Sequence, residues 1–432
     1  MMKVSYLMNV SRVLLALVGS GLTVAAATRS EPIFRPGDVW AICGDSITQQ
    51  GVYSVFLESY LLACQPEPAV RAVQCGWGGM TAGRYAKLME AGAQSFEPAI
   101  VTTCFGMNDG RYDYLNDEVA ATYRQSLVEI VRRFKQSGVR RVVLGGPGVV
   151  DTFTFRNPKT AISAEEYNQT LGQLSELAAE VAMEEGADFA DVHTIMLDVM
   201  ARAKQALGES YPVAGPTDGV HAGPNGHLIM AYAFLKALGC EGAIGTLELD
   251  LQSGRGSSTA GHRILSASSE GLEIESTRYP FCFVRGLGDR PDSVTSILPF
   301  LPFNQDLNRY VLKVSGLSAP SARVTWGSES KLFSSDQLEH GINLAAEFLE
   351  NPFSAAFRKL DAAVSEKQRF EVFYLKQFVG QNQNELMQSQ PETAPGLERA
   401  GRALREVDDL LASSVRGQIM PVVHRIRVQP VP

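Results

Sequence analysis

The chain has 432 residues, 45% of them apolar and 20% charged, a make-up that suits a globular protein long enough for two domains. Its formal net charge of −8 argues against nucleic acid or an anionic membrane as partners, because both would repel it at short range. There is no C-x-x-C, no G-x-x-x-x-G-K and no G-x-G-x-x-G, so the sequence implies neither metal nor cofactor.

In chain order, Lys3 and Arg12 precede the apolar run Val13–Val18, which continues to Ala25-Ala26-Ala27. A basic start, a short apolar core and small residues at the end predict a signal peptide over 1–27, and hence a secreted or periplasmic protein. The run falls short of the roughly 20 residues that a spanning helix needs, so no stable membrane insertion is expected after cleavage.

From residue 28 to 245, β-rich runs at 38–43, 69–75, 99–105, 140–145 and 187–191 alternate with helical patterns. In the segment 117–137, Val119, Tyr123, Leu127, Ile130, Val131 and Phe134 keep to one face and Gly138 supplies the stop. Ser163 and Glu166 form the S-x-x-E signature of a helix start. This alternation predicts an α/β domain with a doubly wound parallel sheet. The six cysteines lie mostly at the ends of strand-like runs and are expected to be free thiols.

Beyond residue 245 the texture changes. Stretches such as "TLELDLQSGRGSS" and "ARVTW" predict short antiparallel strands, followed by helices over 336–349, 353–378 and 396–413. The Gln/Asn-rich stretch 380–396 predicts a flexible connector. Residues 246–432 thus form an expected α+β accessory region, with Trp326 either buried in a strand or available to stack on a sugar.

Four stretches carry chemistry. "GDS", 44–46, follows the first strand and precedes a helix expected near Gln50, which puts Ser46 at the carboxyl edge of the sheet. It is not the G-x-S-x-G elbow, since Thr48 stands where the second glycine would be. "QCGWGGMTA", 74–82, offers glycines that let backbone approach a ligand, and "CFGMNDG", 104–110, offers the Asn108 amide. "TDGVHAGPNGH", 217–227, sets Asp218 three residues before His221 at the entry to a helix. Alone, each reads most simply as a turn, and His227 as a helix-packing residue.

Together and in order, these stretches resemble the conserved blocks of the SGNH hydrolases, the GDSL esterase/lipase superfamily, over roughly residues 36–240. The resemblance implies a flavodoxin-like fold, Ser46, His221 and Asp218 as a catalytic triad, and an oxyanion hole of Ser46, Gly79 and Asn108. Gln74 departs from the family's usual Asn in the second block. In that role His221 must be neutral, so activity is expected to rise from about pH 6 upward. Trp77, Met107, Phe153 and Arg156 flank strand ends and are candidate substrate-binding residues. The expected substrate is a small-molecule or polysaccharide ester, with carbohydrate O-acetyl esters preferred. A broader lipolytic esterase or thioesterase, and more remotely a non-catalytic carbohydrate-binding module, are the alternatives. The oligomeric state stays open.

Overall fold

The computed structural model describes residues 33–65, 70–157, 160–285 and 290–432, so the expected signal peptide lies outside the described residues. Phe34–Pro432 forms one compact unit.

Its first half runs β1 (Val39–Gly44), α1 (Ser46–Gln49), α2 (Tyr53–Cys64), β2 (Arg71–Gly76), α3 (Ala82–Ala86), β3 (Ile100–Cys104), α4 (Asp117–Gln136), β4 (Arg141–Gly145), α5 (Ala164–Glu184), β5 (Asp188–Ala190), α6 (Val192–Leu207) and α7 (Pro224–Ala237). All five strands are parallel in the order β2-β1-β3-β4-β5. This is the flavodoxin-like order, in which the chain changes direction between β1 and β3 and leaves a crevice at their carboxyl ends.

Local chemistry explains the flanking helices. Helix α4 begins where the Asn116 side chain accepts from the Val119 N–H at 3.0 Å, and it carries Asp117 and Glu118 in its first turn and Arg133 and Lys135 in its last. Its buried stripe is the one the spacing predicts, and Gly138 ends it at φ +91°. Helix α5 starts on the reciprocal Ser163–Glu166 pair. One face of the sheet packs on α3, α4 and α5; on the other, α2 and α7 meet through the stacked rings of Tyr53 and Phe234.

The second half departs further from expectation. It contains β6 (Ala243–Asp250), β7 (Arg255–Ser258), β8 (His262–Ser268), β9 (Gly271–Ser276), α8 (Phe303–Asp306), β10 (Arg309–Ser315), β11 (Ser321–Trp326) and β12 (Glu329–Ser334). Then come α9 (Ser335–His340), β13 (Ile342–Asn343), α10 (Leu344–Glu347), α11 (Ser354–Val372), a π-helix (Phe373–Gln383), α12 (Asn384–Ser389), α13 (Ala394–Arg416) and β14 (Val422–Val431). The strands form two sheets, β13-β10-β6-β7 and β12-β11-β14-β9-β8. Most pairs are antiparallel as expected, but β6 and β10 are parallel.

The single helix expected over 336–349 is broken at Gly341, φ +107°, so that Ile342 and Asn343 pair with β10. The connector expected over 380–396 is helical to Ser389. Trp326 is wholly buried, and its indole N–H donates to His424 Nδ1 at 3.1 Å, which removes it as a sugar-stacking candidate. All six cysteines are free.

The change in texture at residue 246 does not divide the molecule. Tyr374, Leu375 and Val379 of the π-helix join the core beneath the first sheet. Helix α11 lies along α2 and β2, while Arg71 of β2 pairs with Asp408 and Asp409 of α13. The edge of the first sheet is therefore covered by the chain's own C-terminal helices rather than left open.

Candidate active site

Strand β1 turns abruptly into α1. A β-carbon on Gly44 would stand 2.0 Å from Thr48 Oγ1 and 2.9 Å from the Cys104 carbonyl oxygen, so only glycine lets the strand end lie this close to the helical turn that follows. Asp45 caps that turn, its Oδ1 accepting from the Ile47 N–H at 2.9 Å. Burial pushes the Asp45 carboxyl up to about 7. Ser46 is itself the first helical residue, four positions earlier than the helix start expected near Gln50. As such its N–H has no intrahelical acceptor.

The loop before α7 brings the other two residues to it. His221 Nε2 lies 2.8 Å from Ser46 Oγ, and His221 Nδ1 lies 2.6 Å from Asp218 Oδ2. The other carboxylate oxygen accepts from the backbone N–H groups of Val220 and His221, both at 2.9 Å. With Nδ1–H donating to a carboxylate, Nε2 is left with its lone pair toward the serine hydroxyl, the tautomer that a general base requires. Partial burial would raise the Asp218 carboxyl, but these hydrogen bonds outweigh it and hold it below its ordinary value.

Glycines and an asparagine complete the crevice. The turn 77–80 closes with Met80 N–H on the Trp77 carbonyl at 3.2 Å, and Gly79 at φ +70° takes the left-handed position of a type II turn. The Gly79 N–H meets no acceptor among the described residues. Asn108 Nδ2 donates to the Met80 carbonyl at 3.1 Å, which uses one of its two amide hydrogens and fixes the plane of the other. Asp109 ties the two loops together, accepting from Ala82 N–H at 2.9 Å and Gly106 N–H at 3.0 Å; burial pushes it up to about 6. Gln74, the departure from the family pattern, is wholly buried: its amide donates to the Thr48 carbonyl and accepts from Gly76 N–H at 2.7 Å.

The four residues named for substrate contact have different surroundings. Met107 is buried, its carbonyl accepting from the Tyr167 hydroxyl at 2.6 Å, and Trp77 is half-buried with its ring against Gly380. Phe153 is exposed with Lys204 Nζ 6.0 Å from its ring centre, and Arg156 donates to the neighbouring Phe155 carbonyl at 2.5 Å. His227 is wholly buried, stacked on Tyr53 with its Nε2–H on Gln50 Oε1 at 3.1 Å, as befits a packing residue.

Three contributors carry no local signature. Asp151, fully buried, donates its N–H to the Gly219 carbonyl at 2.8 Å while Oδ1 accepts from Lys204 Nζ at 3.0 Å, which braces the loop bearing Asp218 and His221. Tyr112, with Arg111 before it, adopts φ +57°, a conformation that non-glycine residues hold only where the surroundings impose it. Its ring stacks on Tyr167 at 5.1 Å, and its hydroxyl is pushed up to about 12, first by burial and then by the charges of Asp45 and Asp218. No cluster of three or more metal-ligating side chains occurs among the described residues.

A five-stranded 2-1-3-4-5 sheet with a Ser–His–Asp chain of hydrogen bonds at its switch point defines an α/β protein built on the plan of a serine hydrolase. Residues 42–229 match the GDSL-like lipase/acylhydrolase family, so this part of the chain is an SGNH-type domain of an ester-hydrolysing enzyme. An acetylxylan esterase of Geobacillus stearothermophilus is 25% identical over 231 residues, spanning 48% of this chain and 95% of its own. A structure of a gut microbial diltiazem-metabolizing enzyme matches 93% of this chain and 99% of its own at a TM-score of 0.71 and 22% identity, so the whole fold, second half included, recurs there. A catalytic mutant of the Geobacillus acetylxylan esterase matches 48% of this chain and 97% of its own, with a TM-score of 0.40 and 22% identity.

Proposed function

We propose that this protein is an exported serine esterase that removes O-acetyl groups from carbohydrate. The observation that carries the nucleophile assignment is the unbroken chain Ser46 Oγ–His221 Nε2, 2.8 Å, and His221 Nδ1–Asp218 Oδ2, 2.6 Å. Ser46 Oγ attacks the ester carbonyl carbon as His221 Nε2 accepts the hydroxyl proton. The carbonyl oxygen becomes an oxyanion facing the Ser46 and Gly79 N–H groups and the second amide hydrogen of Asn108. Collapse breaks the bond to the alcohol oxygen, which takes the proton from Nε2. Water then repeats the sequence on the acyl-enzyme and returns Ser46.

The acetyl and carbohydrate parts of the reading draw on the acetylxylan esterase relative. Half-buried Tyr112, which feels the charges of both Asp45 and Asp218, supplies an aromatic face for a pyranose beside the site. The basic start and short apolar core before Ala27 support export.

Hydrolysis of nitrophenyl esters from C2 to C12, with acetate release from acetylated oligosaccharides, tests the reading. Turnover should fall steeply beyond C4 and acetate should appear. Equal turnover across the series, or no acetate from any carbohydrate, would overturn the substrate assignment. Ser46→Ala should abolish all of it.

A further inference from the structure

The π-helix Phe373–Gln383 lies in the half of the chain that carries none of the four motifs, yet it reaches the reacting centre. Lys376 Nζ donates to Gln49 Oε1 at 3.0 Å, and the same oxygen accepts the Gly78 N–H at 2.7 Å. A β-carbon on Gly78 would lie 3.1 Å from Gln49 Oε1, 3.8 Å from Lys376 Nζ and 3.8 Å from Ser46 Cβ. Lys376 Nζ and the Ser46 side chain therefore both border the same glycine. One helical turn on, a β-carbon on Gly380 would stand 1.8 Å from the Trp77 ring, so the helix backbone is pressed against the first residue of the same turn.

We infer that Lys376 is a positioning residue of the active site, acting through Gln49 to hold the turn 77–80 so that the Gly79 N–H faces the oxyanion. The inference rests on Ser46 being the nucleophile. The Gly78 peptide has little conformational restraint of its own, being flanked by glycine, so an acceptor fixed by a cation sets its orientation. A π-turn widens a helix by one residue, and such turns recur at functional sites because they move side chains out of α-helical register. Here the consequence is that the C-terminal half completes the oxyanion site.

The test is steady-state hydrolysis of p-nitrophenyl acetate by the full-length Lys376→Met, Lys376→Arg, Gln49→Leu and Lys376→Met/Gln49→Leu proteins, with Ser46→Ala alongside. Misplacing a transition-state donor lowers kcat, so Lys376→Met should lose about tenfold or more in kcat with KM changed less than about twofold. Lys376→Arg should recover most of the loss, and Lys376→Met should cost nothing further once Gln49 is Leu. If Lys376→Met does not fold, Lys376→Gln, which keeps a donor without the charge, serves in its place. Wild-type kcat in the lysine variant, or an undiminished effect in the Gln49→Leu background, would overturn the inference while an inactive Ser46→Ala leaves the nucleophile standing. Turnover retained in Ser46→Ala would overturn both.

Discussion

At the scale of single residues, the two aspartates beside Ser46 have opposite tasks because their surroundings differ. Asp218 is half-exposed, takes three hydrogen bonds and is held below its ordinary value; Asp45 is buried, caps α1 and is pushed up to about 7. Between its ordinary 3.8 and about 7 the folded state binds the Asp45 proton more tightly than the unfolded chain does. Its contribution to stability is therefore complete below 3.8 and is lost as pH rises through about 7. Asp45→Asn keeps the acceptor for Ile47 N–H without the charge, so its melting temperature should gain on the wild type between pH 6 and pH 8 by thermal denaturation. Most esterase activity should survive. Asn108→Ala, by contrast, should cost about 10²–10³ in kcat with little change in melting temperature.

Ser46, Gly79 and Asn108 stood out in the sequence because each sits in a short motif at a strand end, and Asp218 and His221 because they share one short motif just before α7. Asp151, Lys204 and Tyr112 were not legible. The pairs Asp151–Lys204 and Tyr112–Tyr167 join residues 53 and 55 positions apart, and no periodicity encodes a contact of that kind.

At the scale of elements, the least expected feature is a charged cluster buried between α2, β2 and α11. Lys367 Nζ is wholly buried against Glu371 Oε1 at 2.6 Å, Glu58 Oε1 at 3.1 Å and the Ala72 carbonyl at 2.8 Å, and Glu371 Oε2 accepts the Gln74 N–H at 2.9 Å. Burial pushes Glu371 up to about 8, while burial would lower Lys367 but the two glutamates overcome it and hold it up. Lys367→Met leaves two carboxyls buried without their cation and should cost about 3–5 kcal/mol in chemical denaturation. A loss near zero would mean that water reaches the cluster.

The helix over 353–378 was legible, but the burial of the charged residues within it was not, because a sequence does not reveal that a second helix and a strand edge will cover them. The break at Gly341 was hidden likewise. Its β-carbon would stand 2.8 Å from Val311 Cγ1, so the close approach to β10 overrides a helical pattern that runs through it.

At the scale of the whole molecule, the motif-bearing half and the rest form one unit, and the structural match over 93% of the chain extends through both. The composition shift at 246 was legible, but what it marks is a change of sheet rather than an independent body. A fragment ending at residue 245 would expose the β2 edge and the core face that Tyr374, Leu375 and Val379 cover. It should fail to give a soluble protein with a cooperative melting transition.

Acid response follows from buried histidines. His227 and His424 are both pushed from an ordinary 6.5 down to about 3 by burial; His424 is held neutral between Trp326 N–H at 3.1 Å and Ser276 Oγ at 3.0 Å. Below 6.5 the unfolded chain binds protons that these rings refuse, so stability falls with pH until about 3. Asp45, Asp109 and Glu371 act in the opposite sense, down to their ordinary 3.8, 3.8 and 4.5. Equilibrium unfolding measured against pH should therefore show stability nearly level from pH 6.5 to about 4.5 and a decline below about 4.

The most direct test of the nucleophile is stoichiometric inactivation by an organophosphonate ester, followed by peptide mass spectrometry. One adduct per chain is expected, on Ser46, with loss of esterase activity in proportion. Full inactivation with the adduct on another residue, or undiminished turnover in Ser46→Ala, would contradict it.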